Sequence, residues 1–187
     1  MNLIEAIFAR RAVRSYAPRT VDEPTIRTLL HAAVQAPSAM NAQSWGFAVV
    51  QDTATLKRYS DRGKQLLLEQ TAAEPKARKY EEMLRNEGFN IFYDASTLVV
   101  ICTTQRGPYS DADCWLAAEN LILTACDEGL GSCCIGFAVP VLNTRAIKEE
   151  LGIPPNGAAV APIILGYPSV APPLVPRTEP RILSWKK

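Results

Sequence analysis

Thr97-Leu98-Val99-Val100-Ile101-Cys102-Thr103 is an apolar run of strand length with no charge in it. Such a run predicts a buried strand at the centre of a sheet. Ala158-Ala159-Val160-Ala161-Pro162-Ile163-Ile164-Leu165 predicts a second buried strand. Trp45 opens a third, Gly46-Phe47-Ala48-Val49-Val50. Between these runs the apolar period becomes helical. Leu3 to about Arg11 predicts a short helix with Leu3, Ile4, Ile7 and Phe8 on one face. A second helix begins near Asp22-Glu23-Pro24, where Asp22 suits the N-cap and proline an early helical position. Residues 53–88 are mostly helix formers rich in Lys, Arg and Glu, interrupted at Glu74-Pro75. The segment 53–90 therefore predicts a solvent-facing helical cover. Asp111 or Asp113 begins a long core helix that runs to Glu128 and stops at Gly129. Gly131 to Phe137 predicts a small-residue turn, and Pro140 to Leu151 one further helix. The proline-rich tail, residues 167–187, predicts an extended segment lying across a second subunit. This alternation indicates α/β or α+β, as one domain over residues 1–187.

Composition narrows function more than fold. A net charge of +1 gives no global attraction to nucleic acid or membrane, so any electrostatic site is local. No apolar run reaches the length of a membrane span, and Met1-Asn2-Leu3-Ile4-Glu5 does not resemble a signal peptide. Cys102, Cys114, Cys126, Cys133 and Cys134 form no CxxC pair. They predict small buried residues in a reducing cytoplasm and no metal site. The one histidine, His31, argues against a multi-histidine metal site and a serine–histidine triad.

Three segments carry candidate chemistry. In Arg10-Arg11-Ala12-Val13-Arg14, Arg10 and Arg14 stand one helical turn apart. They suit convergence on a phosphate and equally suit the negative end of a helix. Ala36-Pro37-Ser38-Ala39-Met40-Asn41-Ala42-Gln43-Ser44-Trp45 is a polar loop between a helix and a strand. Pro37 stops the helix, and Ser38, Asn41 and Gln43 supply groups for a flat, polar-edged heterocycle or for the turn itself. Gly129-Leu130-Gly131-Ser132 matches neither the Walker A pattern nor GxGxxG.

Together these pieces resemble the FMN-dependent nitroreductase family. The matching residues are Arg10 to Tyr16, Ala36 to Trp45, Asp94-Ala95 and Ala118-Glu119-Asn120-Leu121. Gly129 to Gly136, Gly166-Tyr167-Pro168 and Pro176-Arg177 complete the series. Only about residues 53–90 lack a match. The resemblance implies an α+β fold with a central, mostly antiparallel sheet flanked by helices. It also implies an intertwined homodimer with FMN at the subunit interface. Arg10 and Arg14 would hold the phosphate and ribityl chain, with Arg11 and the Ala12 backbone nearby. Pro37, Ser38, Ala39 and Asn41 would approach the flavin from the partner, supported by Gln43. Ile135 and Gly136 would offer backbone groups at the ring's reactive edge, and Arg177 would return to the phosphate. Two departures stand out. Ala12 occupies a position where the family often has serine, and Val175-Pro176 stands where it often has a second basic residue.

The implied reaction moves a hydride from NADH or NADPH through the flavin to a small acceptor, such as a nitroaromatic, quinone or enone. No side chain is expected to act as nucleophile. Alternatives are another flavin reaction of the family, including flavin reduction or dehalogenation, and a non-catalytic FMN-binding protein.

Overall fold

The computed structural model describes residues 1–71 and 79–187. The interruption predicted at Glu74-Pro75 lies outside the described residues. Four antiparallel strands form one sheet in the order β1-β2-β4-β3. They are β1 (Trp45–Val50), β2 (Thr97–Thr103), β3 (Gly131–Cys134) and β4 (Ala158–Gly166). The two apolar runs are the central strands β2 and β4, and every residue of both is buried.

Alternate residues of the central strands serve two separate cores. Val99, Ile101, Ile163 and Leu165 face α2 (Glu23–Ala33) and α5 (Ser110–Asp127). Leu98, Val100 and Ile164 pack with Tyr59, Ile91, Phe92 and Leu142 on the other side. Strand side chains alternate faces, so a run apolar at every position is what a sheet covered on both sides requires. The fold is α+β, helices flanking an antiparallel sheet.

Helix starts follow their caps. Asn2 and Glu5 form a reciprocal capping box at α1 (Leu3–Ala9). Asp22 accepts the Thr25 N–H at 2.8 Å at the start of α2. That helix ends at Ala33, and Gln35 and Ala36 close a tight turn before Pro37. Gly129 ends α5 with a φ of +73°, which glycine adopts without a Cβ penalty.

Five expectations are corrected. Helix α1 stops at Ala9 rather than Arg11, because the chain turns extended at Arg10 and Val13 donates its N–H to Ser132 O at 2.9 Å. Neither Asp111 nor Asp113 caps α5; both lie in its first turn, after Tyr109. Gly131–Cys134 is strand β3 rather than a turn, since pairing with β4 overrides the weak strand preference of small residues. Pro140 to Leu151 is two helices, α6 (Val139–Leu142) and α7 (Arg145–Glu150). The break comes where the Asn143 carboxamide bonds both the N–H and the C=O of Ala159. The cover is more than a solvent-facing layer. Its α3 (Thr53–Thr71) buries Leu56 and Tyr59 in the second core, and α4 (Glu81–Arg85) buries Leu84. Beyond Ser169 the tail has no helix or strand, as its prolines predict.

Candidate functional site

Residues 10–16 leave α1 and run along the free edge of β3. Ala12 bridges Ser132 in parallel, and Tyr16 bridges Pro168. Two glycines make this close approach feasible. Gly131 and Gly166 are register partners across β3 and β4. A Cβ on Gly131 would lie 2.7 Å from Val13 Cβ, and one on Gly166 would lie 2.8 Å from the Tyr16 ring. The Tyr16 hydroxyl donates to Val13 O at 2.7 Å, and burial pushes its phenol well above the usual value.

Arg10 and Arg14 therefore reach one cavity from an extended segment and not from a helix. In this extended segment Val13 is buried, whereas Ala12 and Arg14 are exposed. Arg10, Ala12 and Arg14 line a half-open cavity of about 540 Å³, to which the tail adds Pro172, Val175 and Arg177. Arg11 has a different task. Its guanidinium donates to Phe8 O at 2.6 Å and Arg10 O at 2.7 Å, covering the carbonyls at the end of α1. Its buried Nε has no partner among the described residues. Arg10 lies 3.6 Å from Glu119, the one ion pair formed by these arginines among the described residues.

A second cavity of about 360 Å³ adjoins the first through Arg14, which lines both. Its walls are Ile91, Tyr93, Ile135 and Phe137, with Cys133 and Cys134 from β3. Tyr80 backs Phe137 edge-on, with ring centroids 5.2 Å apart. Gly136 faces open space where a Cβ would stand. Ile135 commits its N–H to Pro162 O at 2.9 Å and its C=O to the Ala138 N–H. The Gly136 N–H makes no hydrogen bond among the described residues, so it, not Ile135, is the available donor. Burial pushes the Cys134 thiol up to about 11; Cys133 and Glu119 add to this and Arg10 opposes it. Cys134 is thus a neutral wall at ordinary pH, not a nucleophile.

The loop at 37–43 lines neither cavity. It is locked by its own polar groups. Ser38 Oγ accepts the Gln43 N–H at 3.0 Å, and the Gln43 side chain donates to Asn41 Oδ1 at 2.9 Å. Ala39 donates its N–H to Asp113 Oδ1 at 3.1 Å, which ties the loop to α5. Met40, Asn41 and Gln43 all have positive φ, and Met40 is 99 % exposed. Strained conformations of this kind gather at functional sites. The structure thus brings Arg10, Arg11, Ala12, Arg14 and Arg177 to one cavity and Ile135 and Gly136 to the next. It leaves Pro37, Ser38, Ala39, Asn41 and Gln43 outside both. Among the described residues no cluster of His, Cys, Asp or Glu is arranged to hold a metal ion. No helix there is long and apolar enough to cross a membrane.

A cationic cavity and an aromatic one thus share Arg14 at the sheet edge, an arrangement whose chemistry suits a planar ligand with an anionic tail. The comparisons make the class specific. The nitroreductase family model matches residues 7–167, and the chain belongs to that family. It is 33% identical over 170 residues to an Archaeoglobus fulgidus protein provisionally described as an NADH dehydrogenase/NAD(P)H nitroreductase, covering 88% of this chain and 84% of that one. It is 27% identical to an iodotyrosine deiodinase of Thermotoga neapolitana, covering 91% of this chain and 90% of the other. The fold superimposes on a Bacteroides fragilis nitroreductase with bound FMN at a TM-score of 0.84 and 27% identity, covering 99% of this chain and 98% of that one.

Proposed function

We propose that this protein is an FMN-dependent oxidoreductase that takes a hydride from NADH or NADPH and passes it to a small acceptor. The observation that carries the reading is Arg14, shared by a cationic cavity and an aromatic one. FMN has that polarity: a flat heterocycle at one end and a phosphate at the other. The donors fit it. Arg10, Arg14 and Arg177 suit the phosphate and ribityl chain, and the unpartnered Arg11 Nε adds a buried donor beside them. Ala12 supplies no hydroxyl but is exposed at the cavity. The free N–H of Gly136 suits a polar edge of the ring, next to the open space beside that residue.

When bound, FMN supplies the two-electron hydride chemistry. The protein's residues set the conditions for it. Arg14 holds a positive charge where the two cavities meet and favours an anionic ring. Ile91, Ile135 and Phe137 exclude water. The acceptor is a small planar molecule such as a nitroaromatic, quinone or enone; of the segment 53–90, Tyr80 backs the cavity wall at Phe137 and is the residue to which we assign its selection.

A second copy of the chain completes the site in this reading, and each chain is one domain over residues 1–187. The apolar face of α1 is uncovered: Leu3, Ile4 and Ile7 are exposed, and Phe8 is 73 % exposed. Helix α5, on which α1 packs, exposes Trp115 and Leu116. The tail exposes Leu174, Leu183 and Trp185. Surfaces of this kind belong to interfaces. A homodimer would cover them and bring the partner's loop 37–43 over the cavity. Free cysteines accord with a cytoplasmic location.

The test is the absorption spectrum of the purified protein before and after NADH or NADPH. A flavin spectrum that bleaches with either nucleotide is expected. A colourless protein that does not take up added FMN contradicts the reading, and bound FMN that stays oxidised favours a binding role without turnover.

A further inference from the structure

Tyr93 and Asp94 are consecutive residues with φ of +53° that carry full side chains. Left-handed backbone is unfavourable for residues with a Cβ, so something must hold them there. Two anchors come from α3. Lys64 is buried, its side chain only 9 % exposed, and its ammonium donates to Phe89 O at 2.8 Å and Asn86 O at 3.1 Å. Asp61 is the carboxylate nearest to it, at 3.9 Å. Ser60 Oγ, also buried, accepts the Ile91 N–H at 3.0 Å. Within the turn, Asn90 accepts the Phe92 N–H at 2.9 Å and donates to Asp94 at 2.8 Å.

The turn delivers one group to the site. The Tyr93 ring enters the aromatic cavity, braced edge-on by Phe89 at 5.6 Å, and the Arg14 guanidinium lies over it at 5.8 Å. Arg14 forms no ion pair among the described residues; the Cys133 thiol and the Tyr16 phenol are also close enough to interact with it. A long cation without a carboxylate partner samples many rotamers unless a surface holds it. An aromatic face within about 6 Å does so.

We propose that Tyr93 is a positioning residue for Arg14, and that the buried Lys64 ammonium fixes Tyr93 by clamping the turn at 86–94. Tyr93 contributes its ring face and not its hydroxyl. Helix α3 thereby acts on the flavin site from behind, without touching it. This rests on the flavin reading of the two cavities for its effect on binding, but the positioning itself belongs to the protein without flavin.

Two readouts test it. The first is the order of the Arg14 Nε–Hε bond by NMR relaxation in flavin-free protein. Tyr93→Ala and Lys64→Met are expected to loosen it, and Tyr93→Phe to leave it as in the wild type. The second is FMN affinity by fluorescence titration. Tyr93→Ala is expected to weaken binding about three- to tenfold. Tyr93→Phe is expected to retain it, and the Arg14→Ala/Tyr93→Ala double variant to bind no worse than Arg14→Ala alone. An Arg14 signal unchanged by Tyr93→Ala overturns the proposal, and so do additive losses in the cycle. If Lys64→Met fails to fold, the Tyr93 variants decide alone. A wild-type protein that binds no FMN overturns the flavin reading, and the NMR arm then decides the positioning.

Discussion

The two polar segments that make up the candidate site are built in opposite ways. Residues 10–16 are seated on the sheet edge, against Gly131 and Gly166, and present their arginines to a cavity in their own chain. Residues 37–43 are just as firmly held, by Asp113 and by their own side chains, yet present Met40 and Asn41 to open surroundings. This loop fixes three non-glycine residues at positive φ and lines neither cavity of its own chain, and in our proposal it serves the partner's. The difference teaches that charge and shape are divided between segments, and that dimerisation is what unites them in our proposal.

The largest expected effect separates the segments by charge. Arg10→Ala and Arg14→Ala should each weaken FMN binding by about 10- to 150-fold, the worth of one charge-assisted hydrogen bond. Thermal unfolding of the flavin-free protein should barely change. Fluorescence titration and calorimetry check the pair of statements. A smaller loss of binding with a large loss of stability would make these arginines structural.

Next comes the seat of the arginine segment. Gly131→Ala would drive a Cβ into Val13 and should destabilise the fold by about 1–3 kcal/mol in urea unfolding. It should also weaken FMN binding, because the arginines ride on that seat. Asn41→Ala breaks the lock with Gln43 and should cost binding about two- to tenfold, measured by the same titration, with stability nearly unchanged.

The smallest effect concerns Cys134, on the arginine side. Its thiol is pushed up to about 11, so it is protonated at pH 8 despite its exposure. Alkylation by iodoacetamide should be slow there and should rise about tenfold per pH unit toward that value. Bound FMN should slow it further. Fast labelling at pH 8 would contradict this view of the cavity wall.

Much of the fold was legible in the residues, and for identifiable reasons. The runs at 97–103 and 158–165 are apolar at nearly every position, so only central strands suit them. Asp22 with Pro24, and Gly129, announce helix ends through local backbone chemistry. What escaped depends on long-range pairing. Nothing local in Gly131-Ser132-Cys133-Cys134 signals a strand; β4 makes it one. Arg10 and Arg14 line one cavity from an extended segment rather than from a helix, because the bond from Val13 to Ser132 is invisible in the chain. Tyr93, which lines the aromatic cavity, lies in none of the motifs named above. The aromatic-rich stretch Phe89-Asn90-Ile91-Phe92-Tyr93 before the central strand was a usable signal, but its turn contains no glycine to mark the left-handed residues.

Subunit mixing tests the division of the site most directly. One variant carries Arg10→Ala/Arg14→Ala and keeps its loop; the other carries Ser38→Ala/Asn41→Ala and keeps its arginines. Each alone should bind FMN weakly. If the loop serves the partner's cavity, a mixed dimer combines the intact arginines of one chain with the intact loop of the other. It should then recover one tight FMN per dimer at the wild-type affinity. Mixed dimers with no tight site would show that arginines and loop serve the same chain, and the account would fail.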